Sequence, residues 1–492
     1  MKKLIIPKKS YFKKAYKLLF DSEIKLREKN YDYYHLNEKI YDCEDFQKLV
    51  LTEGPGKIVK ISSGTSDRKA FPGYIEQSVA DLKSNKYYRN YTSPNGYRLA
   101  RRSLALMESS KLKDGIYSEK DICLTSGSTG AITIVFEYIK NKWPKGEVLI
   151  ATPAYYLYKF AANYWNLKYR EVFSFQNNSF KSVDEVIKKI TSKTKLIVIT
   201  QPLNPTGEIY TEKEIKKLTQ IASRKGILLL IDELFFDLIF EKNKYKDSTV
   251  IASELNALDN IAVIRGYSKN KNLAAFRLGY LLSKNENLMI YAETISEVRQ
   301  CFPVASNFAG IIILDAFIQS LDCLVNKNSN KPLSSLVNQL KKGFNFAESI
   351  NNMSVKQLIA KYKEYKKYFK NIMNFYSNNF DIAQEILKDE IEISIPKKSA
   401  FNTFVKIKGL TDINFFDFCF NFYLTAGIET QIGPCYAFDQ EKWEENPNLG
   451  FWMRITFARD TKQFKYGLKR FIEFKKLYLS NQDRFLKTGL YF

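Results

Sequence analysis

The sequence predicts an α/β protein: a mostly parallel central sheet flanked by helices, with a smaller α+β domain at the C-terminus. Short apolar runs alternate with helical patterns in the first part of the chain, and this alternation is typical of parallel sheets. These runs are DICLTSG (121–127), EVLIATP (147–153), KLIVITQP (195–202), ILLLIDE (227–233) and NIAVIRGYS (260–268). A second group of strand-like runs follows a long helical pattern near the C-terminus, which predicts the smaller domain.

The first 60 residues are predicted to form an N-terminal helical extension. An amphipathic helix is expected over about 10–29, because apolar residues recur there at helical spacing. They are Tyr11, Phe12, Tyr16, Leu19 and Phe20. The large domain then covers 61–317. Before the first strand it contains a helix-like stretch at 76–84, the Gly/Pro/Asn-rich loop NYTSPNGY (90–97) and a helix at about 97–110.

The segment 318–355 departs from the alternation. It is rich in Asn, Ser and Lys and only weakly periodic, so we interpret it as an insertion or a lid. The small domain covers 356–492 and begins with one long linking helix at 356–390. Its other predicted elements are strand-like EISIP (392–396) and FNTFVKI (401–407), a helix near 413–425, strand-like WMRITFA (452–458) and a helix near 461–477.

Composition excludes several classes of protein. The chain has 492 residues, of which 45% are hydrophobic and 26% charged, and these values exclude a wholly disordered chain. The single histidine, His35, excludes mechanisms that need two imidazoles, and we predict no metal site. The cysteines form no Cys-x-x-Cys pair, which favours reduced thiols. They are Cys43, Cys123, Cys301, Cys323, Cys419 and Cys435.

The formal net charge of +23 raises the possibility of a polyanion partner. A nucleic-acid site would concentrate this charge in one stripe or tail. The lysines are instead spread along the chain, with denser stretches only at 2–29 and 361–370, where Tyr362, Tyr365 and Tyr368 lie between them. We therefore interpret the excess lysines as a solvated surface and expect no nucleic-acid partner.

The sequence predicts neither a membrane segment nor a targeting signal. The longest apolar runs, such as ILLLI (227–231), are too short to span a bilayer. At the basic N-terminus, Pro7 and further lysines interrupt a short apolar run, which does not match a signal peptide. We therefore expect no membrane partner and a cytoplasmic location.

Polar residues follow four of the predicted strands, at the edge of the sheet where open α/β sheets bind ligands. SGSTGA (126–131) offers small residues and free amides at a helix N-terminus, which suit a phosphate group. Asn204 in an NPTG turn offers a donor and an acceptor, and Asp232 is a carboxylate on a buried strand. Lys269 follows the last strand, eight residues before Arg277, where it can be kept neutral enough to attack a carbonyl.

In combination these motifs resemble the fold-type-I enzymes that depend on pyridoxal 5′-phosphate (PLP), in particular the class I/II aminotransferases. The resemblance covers about 60–475. It rests on NPTG (204–207), the pair DE (232–233), SKxxxxxxxRLGY (268–280) and RITFA (454–458), which occur in the family's order. The resemblance implies a PLP-dependent transferase that moves the amino group of an α-amino acid to a 2-oxo acid.

The resemblance also implies how residues bind the cofactor. Lys269 would hold PLP as a Schiff base and, once freed, would move the proton at the substrate Cα. Asp232 would keep the pyridine nitrogen protonated, and Asn204 would contact the ring's 3′ oxygen. The residues implied for the phosphate are Gly127, Ser128, Thr129, Ser268 and Arg277.

Four further positions acquire roles from the resemblance. Tyr155 would stack on the cofactor ring, and Tyr91 would reach the phosphate of a neighbouring subunit, which implies a homodimer. Arg454 would bind the substrate α-carboxylate through two hydrogen bonds, and the backbone of Gly64 would lie near the substrate. Three of these roles have a structural alternative: Tyr155 as a core aromatic, Tyr91 as a loop residue and Arg454 as half of a surface ion pair.

Two positions depart from the family's pattern. Phe235 stands three residues after Asp232, where the family commonly has a tyrosine that contacts the ring's 3′ oxygen. Gly266 stands three residues before Lys269, where the family commonly has Ser or Thr for the phosphate. These departures keep a second hypothesis open, in which the same fold and cofactor serve a lyase, decarboxylase, cyclase or oxidase. A third hypothesis, a DNA-binding regulator, would need a helix-turn-helix, and 1–60 contains no convincing one. It ranks last because the residues assigned to the chemistry are all present: Lys269, Asp232, Asn204 and Arg454.

Overall fold

The computed structural model describes residues 3–21, 33–84, 91–113, 116–241, 245–299, 307–411, 413–437, 443 and 449–490. Its helices are α1 (Lys9–Asp21), α2 (Tyr33–Asp42), α3 (Glu44–Thr52), α4 (Pro72–Lys83), α5 (Arg98–Ser110), α6 (Gly127–Lys142), α7 (Leu157–Tyr164), α8 (Val183–Lys188), α9 (Glu212–Arg224), α10 (Ser248–Glu254), α11 (Glu286–Val298), α12 (Ala309–Lys327), α13 (Leu333–Gly343), α14 (Glu348–Asn351), α15 (Val355–Leu387), α16 (Phe415–Ala426) and α17 (Thr461–Leu479). Its strands are β1 (Val59–Lys60), β2 (Ile122–Ser126), β3 (Glu147–Thr152), β4 (Lys168–Phe173), β5 (Thr194–Thr200), β6 (Leu228–Asp232), β7 (Ile261–Gly266), β8 (Leu278–Leu282), β9 (Ile391–Ser394), β10 (Asn402–Ile407), β11 (Ile428–Glu429), β12 (Gln431–Ile432) and β13 (Trp452–Thr456).

The large domain is built on a central sheet with the strand order β2-β8-β7-β6-β5-β3-β4. All neighbours are parallel except that β8 is antiparallel to both β2 and β7. The middle strands β6 and β7 are buried at every position, because helices cover both faces of the sheet, and this explains their continuous apolar sequences. The predicted α/β fold class is confirmed.

Two strands of the central sheet lie outside the predicted apolar runs. β4, with the sequence KYREVF, is an edge strand whose side chains are mostly half-buried, so its charges hide the strand pattern. β8, with the sequence LGYLL, follows directly after Arg277 and returns antiparallel between β2 and β7. Because of this pairing, the chain that follows Lys269 runs back to the carboxyl end of β2, where Leu278 pairs with Ser126.

The small domain contains an antiparallel sheet with the order β12-β13-β10-β9, covered by helices that include α15, α16 and α17. The N-terminal extension is part of the same core and not a separate unit. The hydroxyl of Tyr11 in α1 donates to the carbonyl of Leu424 in α16 at 2.9 Å, and β1 pairs in parallel with β11. Within the predicted helix at 10–29, the structure describes α1, and 22–32 lie outside the described residues.

The segment 318–355, interpreted above as an insertion or a lid, is largely helical and packs into the large domain. Its predicted start falls inside α12, which runs from Ala309 to Lys327, and α13 and α14 follow it. Leu336, Val337 and Phe344 belong to the large-domain core, and no residue of this segment lines the cavity described below. By length and composition α12 could cross a membrane, but most of it is buried against α4, α5 and other parts of the protein.

The linking helix α15 combines exposed lysines with buried tyrosines. Tyr362 and Tyr365 are nearly inaccessible to solvent, whereas most lysines of this helix are exposed. The hydroxyl of Tyr365 accepts a hydrogen bond from Lys271 Nζ at 2.7 Å, and that of Tyr376 pairs with Ser66 Oγ at 2.9 Å. This helix therefore supports the two loops that carry Lys269 and Gly64.

The described cysteines are all free thiols. They are Cys43, Cys123, Cys323, Cys419 and Cys435. Cys301 and the side chain of His35 lie outside the described residues. No group of three or more His, Cys, Asp or Glu side chains in the described ranges is arranged to hold a metal ion.

Candidate active site

A cavity of about 340 Å³ lies between the carboxyl ends of the central strands and the sheet of the small domain. Most of the predicted site residues line it. They are Gly64, Ser128, Thr129, Tyr155, Asn204, Asp232, Ser268, Lys269, Arg277 and Arg454. Gly127 stands immediately behind this lining at the start of α6, and Tyr91 lies on the surface. The fold therefore brings together residues that are up to about 390 positions apart in the chain.

Lys269 lines this cavity, and its ammonium group loses its proton more readily than that of an ordinary lysine. Its Nζ donates to the backbone carbonyl of Gly64 at 2.5 Å. Burial, followed by the positive charges of Arg454 and Arg277, lowers the pKa of Lys269 to about 8, although Asp232 acts in the opposite direction. Lys269 is therefore far more often a neutral nucleophile near neutral pH than an ordinary lysine.

Asp232 ends β6 and presents a buried carboxylate to the cavity. Its Oδ2 accepts from the hydroxyl of Tyr158 at 2.8 Å, and its Oδ1 accepts from the amide of Leu234 at 3.1 Å. Burial raises the pKa of Asp232, while these hydrogen bonds and Lys269 oppose the shift. A cationic N–H group of a ligand would satisfy this carboxylate and restore its charged state.

The start of α6 forms an anion cradle. Gly127 adopts a left-handed φ of +67°, and a Cβ atom there would lie 2.6 Å from Nη2 of Arg277. The guanidinium of Arg277 donates to the carbonyls of Ala274 and Ser126, and it makes no ion pair within the described parts of the chain. A helix N-terminus beside an arginine without a carboxylate partner suits a phosphate group.

Arg454 is a second buried arginine without a carboxylate partner among the described residues. It lies on β13 of the small domain, where Nε donates to Ser62 Oγ at 3.1 Å and Nη1 donates to Asn204 Oδ1 at 3.2 Å. Its guanidinium also lies 5.4 Å from the centre of the Tyr436 ring. Since a buried guanidinium needs a compensating charge, this side chain is suited to a carboxylate ligand.

The structure explains both departures from the family's pattern. The ring of Phe235 is buried against Phe401, with 5.3 Å between the ring centres, so this position supplies packing and no hydroxyl group. At Gly266 a Cβ atom would lie 3.0 Å from both Leu234 Cδ1 and the carbonyl oxygen of Leu278. A serine there would require these neighbours to move.

Tyr155 and Tyr91 occupy contrasting environments. Tyr155 lines the cavity, and its ring lies edge-on to the rings of Tyr156 and Tyr158, at 4.6 and 6.2 Å between centres. Tyr91 is 93% exposed in the single chain. The stacking role of Tyr155 and the partner-directed role of Tyr91 remain predictions.

Sequence reasoning missed several residues that line the cavity. They are Glu38, Lys60, Tyr156, Tyr158, Glu429, Gln431 and Tyr436. Tyr158 could have been found in the run PAYYLY, since it lies on α7 three residues after Tyr155. Glu38 and Lys60 carried no signal, because they belong to the N-terminal extension and reach the cavity only through tertiary packing.

The site fits PLP in each part that the chain provides. Lys269 is a reactive amine, Asp232 is a buried acid for a pyridine nitrogen, and the start of α6 with Arg277 is an anion cradle. The start of α6 requires glycine at residue 127, because a Cβ atom there would displace the Arg277 guanidinium from its place beside the helix N-terminus. The residues would therefore hold the aldehyde, the ring nitrogen and the phosphate at three different points.

Comparison with known proteins identifies the same class. A family model described as aminotransferase class I and II matches residues 57–471. An aspartate aminotransferase of Sulfolobus acidocaldarius is 28% identical over 284 residues, which are 56% of this chain and 67% of that protein. Nicotianamine aminotransferase 1 of Oryza sativa is 25% identical over 433 residues, which are 86% of this chain and 75% of that protein.

A solved structure shares the fold at low sequence identity. A double mutant of aspartate aminotransferase from Thermus thermophilus superimposes with a TM-score of 0.67 and 16% identity. The superposition covers 91% of this chain and 98% of that one. At this identity the likeness concerns the fold alone.

Proposed function

Because the chain belongs to the aminotransferase class I and II family, we propose that it uses PLP to transfer the amino group of an α-amino acid to a 2-oxo acid, with Lys269 as the cofactor-binding lysine. One observation carries this proposal. A lysine with a lowered pKa shares a cavity with a buried aspartate and with two arginines that lack carboxylate partners in the described chain. These groups match the aldehyde, the pyridine nitrogen, the phosphate and the substrate carboxylate.

When bound, PLP supplies an aldehyde that attaches to amines and a ring that takes up the electrons released at the substrate Cα. The chain supplies the remaining functions. Arg454 binds the α-carboxylate of the substrate, which orients Cα toward the centre of the cavity. Lys269 Nζ, once neutral and free, takes the proton from Cα and returns it to the acceptor carbon.

Asp232 and the residues around it hold a second proton in place. A carboxylate at the end of β6 stabilises a protonated pyridine nitrogen, and the Tyr158 hydroxyl and the Leu234 amide keep that carboxylate oriented. Arg277 and the start of α6 fix the phosphate, so the cofactor stays anchored when Lys269 moves.

We also propose a homodimer in which Tyr91 contacts the phosphate of the other subunit. Tyr91 is 93% exposed, and α4 presents three exposed apolar side chains on one stripe, Ile75, Val79 and Leu82. Such a stripe is suited to burial against a second copy. Mixing purified Lys269→Ala and Tyr91→Ala proteins should restore activity, because a hybrid dimer has one intact site; absence of any recovery would contradict the shared site.

The cytoplasmic location also remains a proposal. It is supported by the free thiols of the described cysteines, which include the partly accessible Cys43 and Cys323. Such thiols persist in reducing compartments. Fractionation of source cells with an antibody against the protein would test it, and recovery in an oxidising compartment would contradict it.

Borohydride trapping tests the role of Lys269. The protein is incubated with PLP, reduced and digested, and the modified peptide is identified by mass spectrometry. We expect modification at Lys269, loss of the modification in Lys269→Ala and normal modification in a control, Lys188→Ala, whose lysine is exposed on α8. Modification at another lysine, with Lys269 unmodified, would refute the assignment.

A further inference from the structure

We propose that the substrate is an α-amino acid with a long basic side chain, whose terminal amine or guanidinium binds between Glu38 and Glu429. This inference rests on the proposed function, because it names the substrate class of the same site. Neither carboxylate was predicted from the sequence, and Glu38 lies before residue 57, outside the part of the chain that the family model matches.

The small-domain wall of the cavity places these carboxylates at a fixed distance from Arg454. Gln431 on β12 pairs directly with Arg454 on β13. Glu429, on β11, precedes Gln431 by two residues and also lines the cavity, so the Cα atoms of these two residues are separated by at most about 7 Å of chain. A substrate whose α-carboxylate binds Arg454 therefore needs an extended side chain to reach Glu429.

Glu38, on α2, lines the same side of the cavity. Its Oε1 accepts a hydrogen bond from Gln431 Nε2 at 2.9 Å, and Gln431 Oε1 in turn accepts from the hydroxyl of Tyr436 at 2.6 Å. These two bonds fix the orientation of the Gln431 amide. Glu38 makes no ion pair within the described parts of the chain, so its carboxylate can accept from a ligand.

The charge balance at this end of the cavity is negative. Lys60 forms an ion pair with Glu429 at 3.0 Å and is 46% exposed. Glu38 makes no ion pair in the described chain, and Arg454 and Lys60 act on it only through longer-range charge interactions. Burial raises the pKa of Glu429 to about 7 in spite of Lys60, with Glu38 adding to the rise, and burial also raises the pKa of Glu38. Burial is the largest cause of both shifts, so the charged forms of Glu38 and Glu429 are costly here, and a cationic side chain beside them would offset this cost.

An acidic side chain would meet the opposite situation. It would face two carboxylates, and the ammonium of Lys60 is already paired with one of them. The two arginines that line the described cavity, Arg277 and Arg454, are assigned to the phosphate and to the α-carboxylate. Glu38 and Glu429 therefore favour a cationic side chain, which pairs with carboxylates, over an anionic one, which they repel.

Kinetics with matched amino acids tests the inference. We would measure kcat/KM of the PLP-loaded full chain for L-lysine, its uncharged analogue L-norleucine and L-glutamate, with one 2-oxo acid as acceptor. We expect L-lysine to exceed the other two by about tenfold or more, and Glu38→Gln and Glu429→Gln to abolish most of this preference. The control Glu44→Gln removes an exposed charge at the start of α3 and should leave the preference unchanged.

Binding provides a readout that does not depend on turnover. In the Lys269→Ala background, calorimetry should show that Glu38→Gln lowers the binding affinity for L-lysine about tenfold and leaves the affinity for L-norleucine unchanged. Equal or better transfer from L-norleucine or L-glutamate, unaffected by Glu38→Gln, would overturn the inference and leave the proposed function intact. Failure of the PLP-loaded protein to transfer an amino group from any amino acid would instead refute the proposed function.

Discussion

Replacing Arg454 by methionine should raise the pKa of Lys269 in the cofactor-free protein. In the wild-type chain, burial and then Arg454 and Arg277 lower this pKa from 10.5 to about 8. The substitution removes the first of the two positive charges and leaves the burial of Lys269 largely unchanged. The Lys269 ammonium should therefore hold its proton more strongly, and the neutral fraction at a given pH should fall.

The size of the wild-type shift sets the scale of the effect. At pH 7 a lysine with a pKa of about 8 is roughly 9% neutral, whereas one with a pKa of 10.5 is roughly 0.03% neutral, a difference of about 300-fold. Arg454→Met should move the neutral fraction part of the way toward the lower value. Because the folded pKa lies below the unfolded pKa, Lys269 opposes folding below about pH 8, and this opposition fades as the pH rises toward 10.5.

NMR titration of lysine side-chain signals in the cofactor-free protein measures this pKa, and Lys269→Ala assigns the signal. We expect a midpoint near 8 in the wild type and a higher midpoint in Arg454→Met. The control Arg224→Met removes an exposed arginine at the end of α9 and should not change the midpoint. A wild-type midpoint near 10.5, or an unchanged midpoint in Arg454→Met, would refute the electrostatic account of the site.

Three other substitutions test separate parts of the structure. Arg454→Lys should raise KM for the amino acid roughly 10- to 100-fold and leave PLP affinity unchanged, since lysine cannot make two parallel hydrogen bonds to a carboxylate; steady-state kinetics and PLP titration would check this. Gly279→Ala should weaken PLP binding and lower the free energy of unfolding by about 1–3 kcal/mol, because its Cβ would lie 2.5 Å from the Gly127 backbone; fluorescence titration and urea denaturation would show both effects. Arg265→Met should cost about 3–5 kcal/mol in urea denaturation, because the inaccessible Arg265 guanidinium lies 2.5 Å from both Glu108 and Glu233. An unchanged KM in Arg454→Lys, unchanged PLP affinity and stability in Gly279→Ala, or unchanged stability in Arg265→Met would contradict the corresponding contacts.

The central sheet was largely predictable from sequence because its middle strands are buried on both faces. Such strands appear as short apolar runs, and the polar residues that follow them mark the ligand edge. The same rule failed for β4, whose charged residues lie at the sheet edge. In the segment 318–355 the polar composition gave no sign of the helices, which pack into the large-domain core.

The cofactor side of the cavity was predictable for a related reason. Asp232 ends β6, Lys269 follows β7 and Arg277 precedes β8, and all three lie within motifs of fixed spacing. The substrate side was not predictable, since Glu38, Lys60 and Glu429 come from α2, β1 and β11, which meet only through pairing between the extension and the small domain. Local sequence patterns contain no information about that pairing, and the polar side chains it brings together show no periodicity.

The amino-transfer half-reaction tests the central claim most directly. The PLP-loaded protein is mixed with single amino acids in the absence of an acceptor, and the cofactor spectrum and the released product are followed together. We predict stoichiometric conversion of PLP to pyridoxamine phosphate with release of the matching 2-oxo acid, and no conversion in Lys269→Ala. Formation of another product with PLP unchanged, or oxygen consumption during turnover, would contradict the account and favour a lyase, decarboxylase, cyclase or oxidase.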